Sequence, residues 1–325
     1  MAHAKGSQAL LTMGRETTFG TAATGNFLQL PIISTDLGIS QDLIRSQALQ
    51  GSRHRTEPVL NEKSGQGAIV MQADVRSIGF ILSELLALPT TTGINPYTHV
   101  FKPGTTLPTG VTFEKWFSDI SIALQYIGGK IGGLSFEVTS GGLLQVTAQV
   151  QCADEANSGR IDSAPYKYNI IPFRMPSVTL TEGGSATTKA TRFSLEFDNE
   201  LEPIRTVGNS GKVQNILEGW ASVRGSLEVI FEDMTMYNKA KNATESSLKV
   251  KFPSVTDAAH YLEFEMQEVR YAVASPPIQG PGGIMCSLDW EAFYDNGAGA
   301  SSFIVTLVNE LRAWAIAQGF ITGAA

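Results

Sequence analysis

Short runs in which apolar and polar residues alternate recur along the chain, and glycine, proline or small polar residues bound each run. Alternation places apolar side chains on one face of an extended segment, so each run predicts a β-strand with one face on a core. The predicted strands cover residues 37–45, 67–74, 120–127, 131–139, 143–151, 191–202, 225–232, 248–252, 261–268 and 302–308. The pattern therefore predicts a mainly β fold.

A few segments carry apolar residues at helical spacing instead. Within residues 75–88 apolar side chains recur every three or four positions, and Pro89 ends the pattern. A shorter segment, residues 233–240, resembles it, and residues 309–318 form a third helical stretch near the end of the chain. We therefore expect short α-helices flanking the strands.

The order of strand, long loop, strand, helix and hairpin occurs twice, which predicts an internal duplication. The first thirty residues are rich in Gly, Thr and Ala and show little periodicity, so they predict an extended arm. We expect four segments: an N-terminal arm at 1–30, a first β-sandwich repeat at 31–165, a second at 166–300, and a final strand with a helical tail at 301–325.

Composition excludes several classes of protein. Of the 325 residues, 42% are hydrophobic and 17% charged, which argues against disorder and coiled coil. The 24 Lys and Arg against 31 Asp and Glu give a net charge of −7, the wrong sign for a general binder of nucleic-acid phosphates. The start of the chain has no apolar leader, and no stretch is long enough to span a bilayer, so we expect synthesis in the cytoplasm and no membrane contact.

Residues that could carry chemistry are sparse. The chain has two cysteines and four histidines, in no metal-binding spacing. It contains no nucleophile elbow and no glycine-rich phosphate loop before a helix. We therefore predict no catalytic residue, no metal site and no cofactor, which argues against an enzyme.

Acidic residues alternate with apolar ones on two predicted strands and form a stripe. Like charges at every second position project from the same face of a sheet and repel one another. This stripe is either an ordinary solvated face or the wall of an acidic lumen that keeps a polyanion from adhering. The candidate lumen-facing acids are Glu196, Asp198, Glu200, Glu263 and Glu265.

A polar stretch at residues 46–58 has no apolar face. We interpret residues 46–64 as a long basic loop without a core of its own. Four cations lie in or beside it: Arg45, Arg53, Arg55 and Lys63.

Five segments, in order along the chain, carry a resemblance to a known family. They are Gly14–Ala22 with Phe27–Pro31, Ser46–Arg53, Gly142–Ala148, Phe197–Leu201, and Phe231–Asp233 followed by Tyr237. Together they resemble the tail tube proteins of siphophages, the major tail proteins of long non-contractile tails. The resemblance extends from residue 14 to about residue 252, and the C-terminal quarter departs from it.

The resemblance implies a β-sandwich or barrel-like subunit that forms rings, usually hexameric, which stack into a hollow tube around a tape measure protein. Double-stranded DNA passes through such a tube at ejection without sequence-specific binding. The other implied partners are the tail terminator and the distal tail or baseplate proteins, and the implied location is the virion, with assembly in the host cytoplasm. In this interpretation the basic loop makes the contact between stacked rings.

Two alternatives remain open from the residues. One is a related virion ring, such as a distal-tail or neck protein. The other is a soluble β-sandwich that binds carbohydrate, which would need aromatic residues clustered on an exposed loop face. The tryptophans are scattered beside apolar runs, which is more typical of core residues: Trp116, Trp220, Trp290 and Trp314.

Overall fold

The computed structural model describes residues 3–25, 27–49, 51–161, 170–278, 280–294 and 301–312. These residues form two α-helices, α1 (Ile78–Leu85) and α2 (Thr235–Lys241), and 21 strands. The strands are β1 (Ala9–Arg15), β2 (Leu28–Leu30), β3 (Ile32–Thr35), β4 (Gly38–Ile44), β5 (Val59–Gln72), β6 (Thr90–Thr92), β7 (Tyr97–Phe101), β8 (Val111–Phe117), β9 (Ile122–Val138), β10 (Gln145–Cys152), β11 (Asp154–Ser158), β12 (Thr179–Glu182), β13 (Ser185–Ala186), β14 (Ala190–Asp198), β15 (Glu202–Arg205), β16 (Val213–Leu217), β17 (Ser222–Ile230), β18 (Ser246–Pro253), β19 (Tyr261–Tyr271), β20 (Met285–Ala292) and β21 (Ile304–Asn309). The predicted mainly β fold is confirmed.

The main sheet has two layers. In layer one, β3 and β4 lie along one side of β5, and β10, β9, β14, β17 and β20 follow in that order. In layer two, β18 and β21 flank β19, with β12 and β13 beyond β18 and β7 and β6 beyond β21. A short ladder between β19 and β20 joins the layers. All of these pairings are antiparallel, as expected from alternating strands with one face in water.

Strand β9 belongs to two sheets. Its first half, up to Gly129, pairs with β8 and β11, and β1 and β2 extend that second sheet. Its second half pairs with β10 and β14 in layer one. Between the halves Gly128 has a φ of +65°, which favours glycine, and a Cβ there would lie 2.7 Å from the Cβ of Ala153. Two predicted strands, 120–127 and 131–139, are therefore one bent strand.

The core lies between the two layers and consists largely of phenylalanine rings. Phe136 of β9 packs on Phe264 of β19 with ring centroids 4.6 Å apart, and Phe197 of β14 stacks on Phe303 at 5.2 Å. One continuous apolar cluster contains buried residues of both halves of the chain. The two expected repeats therefore share one core.

The order of paired strands nevertheless repeats between the two halves of the chain. The first half reads β4, β5, β10, β9, β8 across its ladders, and the second reads β14, β17, β20, β19, β18. The segment after the hairpin also matches, since β11 returns to β9 as β21 returns to β19. Each half contains one helix at the same place, α1 after β5 and α2 after β17.

Two segments differ from what the sequence suggests. Within the segment expected as an arm, β1 pairs with β8 along its whole length, and Leu11 and Met13 are fully buried. Just after it, the carboxylate of Glu16 accepts hydrogen bonds from the amides of Gly20 and Gly128. These burials and hydrogen bonds tie the segment to the second sheet.

The C-terminal tail that the sequence predicts to be helical does not begin as a helix. Asn309 ends β21, and residues 310–312 are not helical. The side-chain amide of Asn309 donates to the carbonyl oxygen of Val75 at 2.7 Å, and its side-chain oxygen accepts from the backbone N–H of Leu311 at 3.0 Å, which bends the chain as it leaves the strand. Residues 313–325 of the predicted tail lie outside the described residues.

Candidate lumen and assembly surfaces

The outer face of layer one is polar and carries a groove. Because apolar side chains alternate inward, the outward positions of these strands carry mainly Ser, Thr, Gln, Glu and Arg. A groove of about 800 Å³ crosses this face between β4 and β14. Its polar lining includes Asp36, Gln66, Ser135, Gln149, Glu196 and Asp198.

Two acids on this face have basic partners on neighbouring strands. Arg224 of β17 donates two hydrogen bonds of 3.0 Å to Glu196 of β14 and so holds the pKa of that carboxyl below its usual value. Arg192 lies 2.5 Å from Glu137 of β9 in the same way. Both pairs are exposed, and exposed ion pairs contribute little stability because water and salt screen them. Their main effect is to neutralise part of the acidic charge.

The other two predicted strand acids lie elsewhere. Glu263 and Glu265 alternate with buried Phe264 on β19, so they project from the outer face of layer two. Lys249 of β18 lies 3.5 and 3.4 Å from them. Burial alone would lower the pKa of the Lys249 ammonium, but the two carboxylates together raise it.

The predicted stripe is therefore divided between two surfaces. Glu196 and Asp198 lie on the outer face of layer one and Glu263 and Glu265 on that of layer two, with the phenylalanine core between. Glu200 lies on neither face, since it occupies the turn after β14 with a φ of +46°. The two faces cannot both line one channel.

The basic loop is the tip of a long hairpin formed by β4 and β5. Arg45, Arg53 and Arg55 are exposed in this tip and have no ion pair among the described residues. The strand continues further than the sequence suggests, because Val59 and Leu60 of β5 pair with β4. Residues 59–64, predicted as loop, are therefore β-strand.

Lys63 differs from the three arginines because its side chain is partly buried and ion-paired. Its ammonium lies 2.7 Å from Asp154 of β11, which also binds Lys212 at 2.5 Å. Partial burial alone would raise the pKa of Asp154, but hydrogen bonds from Lys212 and Lys63 hold it below its ordinary value. Arg205 of β15 adds an ion pair of 3.2 Å to Glu62. These contacts hold the β4–β5 hairpin against β11 and the β15–β16 hairpin.

The hairpin also exposes apolar side chains that the sequence pattern did not single out. Leu43, Ile44, Val59 and Leu60 are each more than half exposed. Adjacent large apolar residues on a projecting hairpin are typical of an interaction surface. Their apolar run in the sequence is short and adjoins polar residues, so only the tertiary structure identifies it.

The tryptophans are not all core residues. Trp290 is 2% exposed and stacks on Phe193, as the sequence suggested, but Trp220 is 83% exposed. Trp116 is partly buried, and Trp314 lies outside the described residues. The expectation of a core position was wrong for Trp220, which follows β16 at the base of a hairpin.

Candidate chemical groups are isolated. No group of three His, Cys, Asp or Glu that could hold a metal occurs in the described ranges. Cys152 and Cys286 are free and buried, and burial raises the pKa of the Cys152 thiol to about 12, which suppresses the reactive thiolate. Neither helix described in the structure has the length and apolar character needed to cross a membrane.

Comparison with known proteins gives one result. No curated protein matches the chain. The family model for phage tail tube proteins matches residues 6–292. Since this match covers most of the 325 residues, the protein belongs to the phage tail tube family.

Proposed function

We propose that this protein is the major tail protein of a siphophage-type tail, the subunit of the tube that delivers double-stranded DNA to the host. The observation that carries the proposal is the family match over residues 6–292. The family forms a structural part of the virion tail, so the role rests on interfaces between subunits and not on catalysis. The proposed partners are other copies of the chain, the tape measure protein, the tail terminator and the distal tail or baseplate proteins, which it meets during assembly in the host cytoplasm.

We assign the outer face of layer one to the lumen. A groove lies on this face between β4 and β14, and the pairing of β14 with β9 makes the sheet continuous across both halves of the chain, as a channel wall must be. DNA carries one negative charge per about 1.7 Å of helix axis, so a wall without free cations avoids binding it. Arg192 and Arg224 are the cations on β14 and β17, and each is paired with a glutamate. In this assignment Glu196 and Asp198 line the lumen, and Glu263 and Glu265 face away.

The repeated strand order bears on the number of chains in a ring. The resemblance implies six subunits, but each chain here contributes two halves with the same order of ladders. Six equivalent halves are supplied by three chains. We therefore propose a ring of three chains with approximate sixfold symmetry.

The β4–β5 hairpin is assigned to the contact between stacked rings. It projects beyond the sheet, carries the exposed Arg45, Arg53 and Arg55, and exposes apolar residues beside them. An interface of apolar centre and charged rim is the usual composition of a specific protein contact.

Electron microscopy of the purified protein at increasing concentration tests the proposal. We expect rings that lengthen into hollow tubes, more readily when a tape measure segment is present. Rings that never lengthen would instead support an end ring such as a distal-tail or neck protein. A chain that stays monomeric in every condition would refute the proposal, and glycan binding by that monomer would support a carbohydrate-binding module.

A further inference from the structure

One strand junction inside the chain joins its two halves. β14 opens the second half and pairs with β9 of the first half, from Phe193 opposite Val138 to Asp198 opposite Gly133. Unpaired, both strands would present rows of free N–H and C=O groups, the usual cause of strand association. The junction is a head-to-tail contact. The first strand of the second half, β14, pairs with the edge of the β9–β10 hairpin of the first half.

The first half has an equivalent opening edge at residues 35–40. Thr35 holds the same position opposite β5 that Phe193 holds opposite β17. In the same way Ser40 corresponds to Asp198. No insertion separates these matched positions, so the two edges superpose residue by residue. β5 covers one side of residues 35–40, and no strand of the described chain pairs with the other side. Within this edge the backbone of Leu37 has only side-chain partners, since its N–H donates to the Thr35 hydroxyl and its carbonyl oxygen accepts from the Lys115 ammonium.

The second half has a closing edge at residues 272–275, which continue β19. Ala272 donates its N–H to the carbonyl oxygen of Asp289 on β20 at 2.8 Å. In the first half Gly133 lies opposite Gln149, the residue of β10 that corresponds to Asp289. Ala272 therefore corresponds to Gly133. In the first half, β14 pairs with Gly133 on the side away from β10. On the corresponding side, residues 272–275 have no strand partner in the parts of the chain that the structure describes.

Exposure at this edge differs from that at the internal junction. Leu134 beside β14 is 1% exposed, whereas its equivalent Val273 is 56% exposed. Pro276 and Pro277 follow at once, and proline has no N–H to donate, so a paired segment must end at Ser275. The closing edge is thus short, apolar in part and exposed at Val273.

We propose that residues 35–40 of one copy pair antiparallel with residues 272–275 of the next copy, with Ser40 opposite Ala272 and Leu37 opposite Ser275. The inference rests on the proposed ring assembly and specifies its lateral contact. The contact uses a different surface on each partner, and a head-to-tail contact of this kind closes into a ring when the rotation permits. It reproduces between chains the junction that β14 and β9 form within one chain, so layer one continues around the ring.

Cysteine cross-linking of the full chain tests the register. Residues directly opposite in an antiparallel pair have Cα atoms about 4.5–5.5 Å apart, within disulfide range. We expect the variant with Ser40→Cys and Ala272→Cys to give, on oxidation of assembled protein, a ladder of covalent multimers. The matched control has Ser40→Cys and Ala258→Cys, because Ala258 is exposed in a turn away from both edges. Buried Cys152 and Cys286 stay unchanged in both.

Hydrogen exchange of the wild-type protein provides a second measurement that needs no substitution. The amides of Ile39, Val273 and Ser275 face the proposed partner, because those of Asp36 and Ala272 donate to β5 and β20. They should exchange at least tenfold more slowly in rings than in the monomer, while those of residues 257–259 should not change. Rings that form without this protection, or with equal cross-linking in the control, overturn the edge pairing and leave the tube function standing. Absence of any assembly by the wild-type protein overturns both.

Discussion

Gly67 and Gly225 occupy equivalent positions of the two halves, and neither has room for a side chain. A Cβ on Gly67 would overlap the backbone of Leu37, and one on Gly225 would overlap the carbonyl of Ser194 and approach the Trp290 ring at 2.7 Å. Both glycines lie on the central strand of a ladder of three, where the neighbouring strand crosses closely. The duplication therefore extends to the backbone contacts of matched residues.

Gly67→Ala and Gly225→Ala should each destabilise the isolated subunit by about 1–3 kcal/mol, the usual cost of overpacking a close contact. Denaturant unfolding measures the change. Gly141→Ala is the control, since a Cβ there meets no atom within 4 Å, and it should have almost no effect. Equal stability of all three variants would show that the two glycines are not required for close packing.

Charge reversal on the two outer faces should separate the lumen from the exterior. We expect Glu196→Lys with Asp198→Lys to leave tubes intact and to lower infectivity at least tenfold, because free cations on the wall bind phosphate during ejection. Glu263→Lys with Glu265→Lys changes the charge equally on the opposite layer and should leave infectivity near wild type. Plaque counts of virions with normal tails measure both. The reverse result would place layer two at the lumen.

Asp154→Asn should weaken the attachment of the β4–β5 hairpin, because Asp154 binds both Lys63 and Lys212. The folded pKa of Asp154 is below its ordinary value of 3.8, so its ionised form stabilises the fold above that pH. We expect a loss of about 1–2 kcal/mol in unfolding free energy at pH 7. The difference from wild type should shrink as pH falls through the folded pKa, where both carry a neutral side chain.

Unfolding of the monomer across pH 2–7 measures this dependence. Asp42→Asn, on the exposed part of β4, is the control and should change little at any pH. A constant difference between Asp154→Asn and wild type down to pH 2 would contradict the assigned role of the charge.

Replacing residues 47–57 by a short Gly-Ser turn should remove the hairpin tip and keep β5, which begins at Val59. A deletion that extended to residue 62 would cut this strand and confuse folding with assembly. We expect a cooperative fold with nearly unchanged melting temperature, normal rings, and no stacking of rings into tubes. Electron micrographs check the result, and normal tubes would show that the tip is not the stacking contact.

Native mass spectrometry of isolated rings should give three chains per ring, with approximate sixfold symmetry in averaged images. The reason is that each chain supplies two equivalent halves. A mass of six chains would mean twelve halves in one ring and would exclude the proposed count.

Much of the fold follows from local patterns. Helix α1 lies within the predicted residues 75–88, and α2 (Thr235–Lys241) overlaps the predicted 233–240. The hairpin of β9 and β10 joins two runs of strict alternation around Gly141 and Gly142, and the turn gives Gly142 a φ of +95°, which favours glycine. These elements depend on neighbours in sequence, so their pattern is sufficient to predict them.

Other features depend on contacts between distant residues. Glu196 and Glu263 look alike in sequence because each alternates with buried phenylalanines or leucines, yet they project from opposite layers. Trp220 and the hairpin residue Leu60 are apolar and exposed, which no local pattern indicates. β1 appeared to be part of an arm, because its partner β8 lies about a hundred residues away.

The sequence by itself determined the strands, the two helices, the absence of recognisable catalytic motifs and the repeated order of elements, since periodicity and spacing are local properties. Only the tertiary structure decided that the two halves share one core, that the acidic stripe is divided between two faces, and that residues 35–40 and 272–275 each lack a strand partner on one side among the described residues. The physical reason is that a strand's pattern fixes which side chains point inward. Which strand lies beside it, and which face meets solvent, follow from long-range hydrogen bonds and packing.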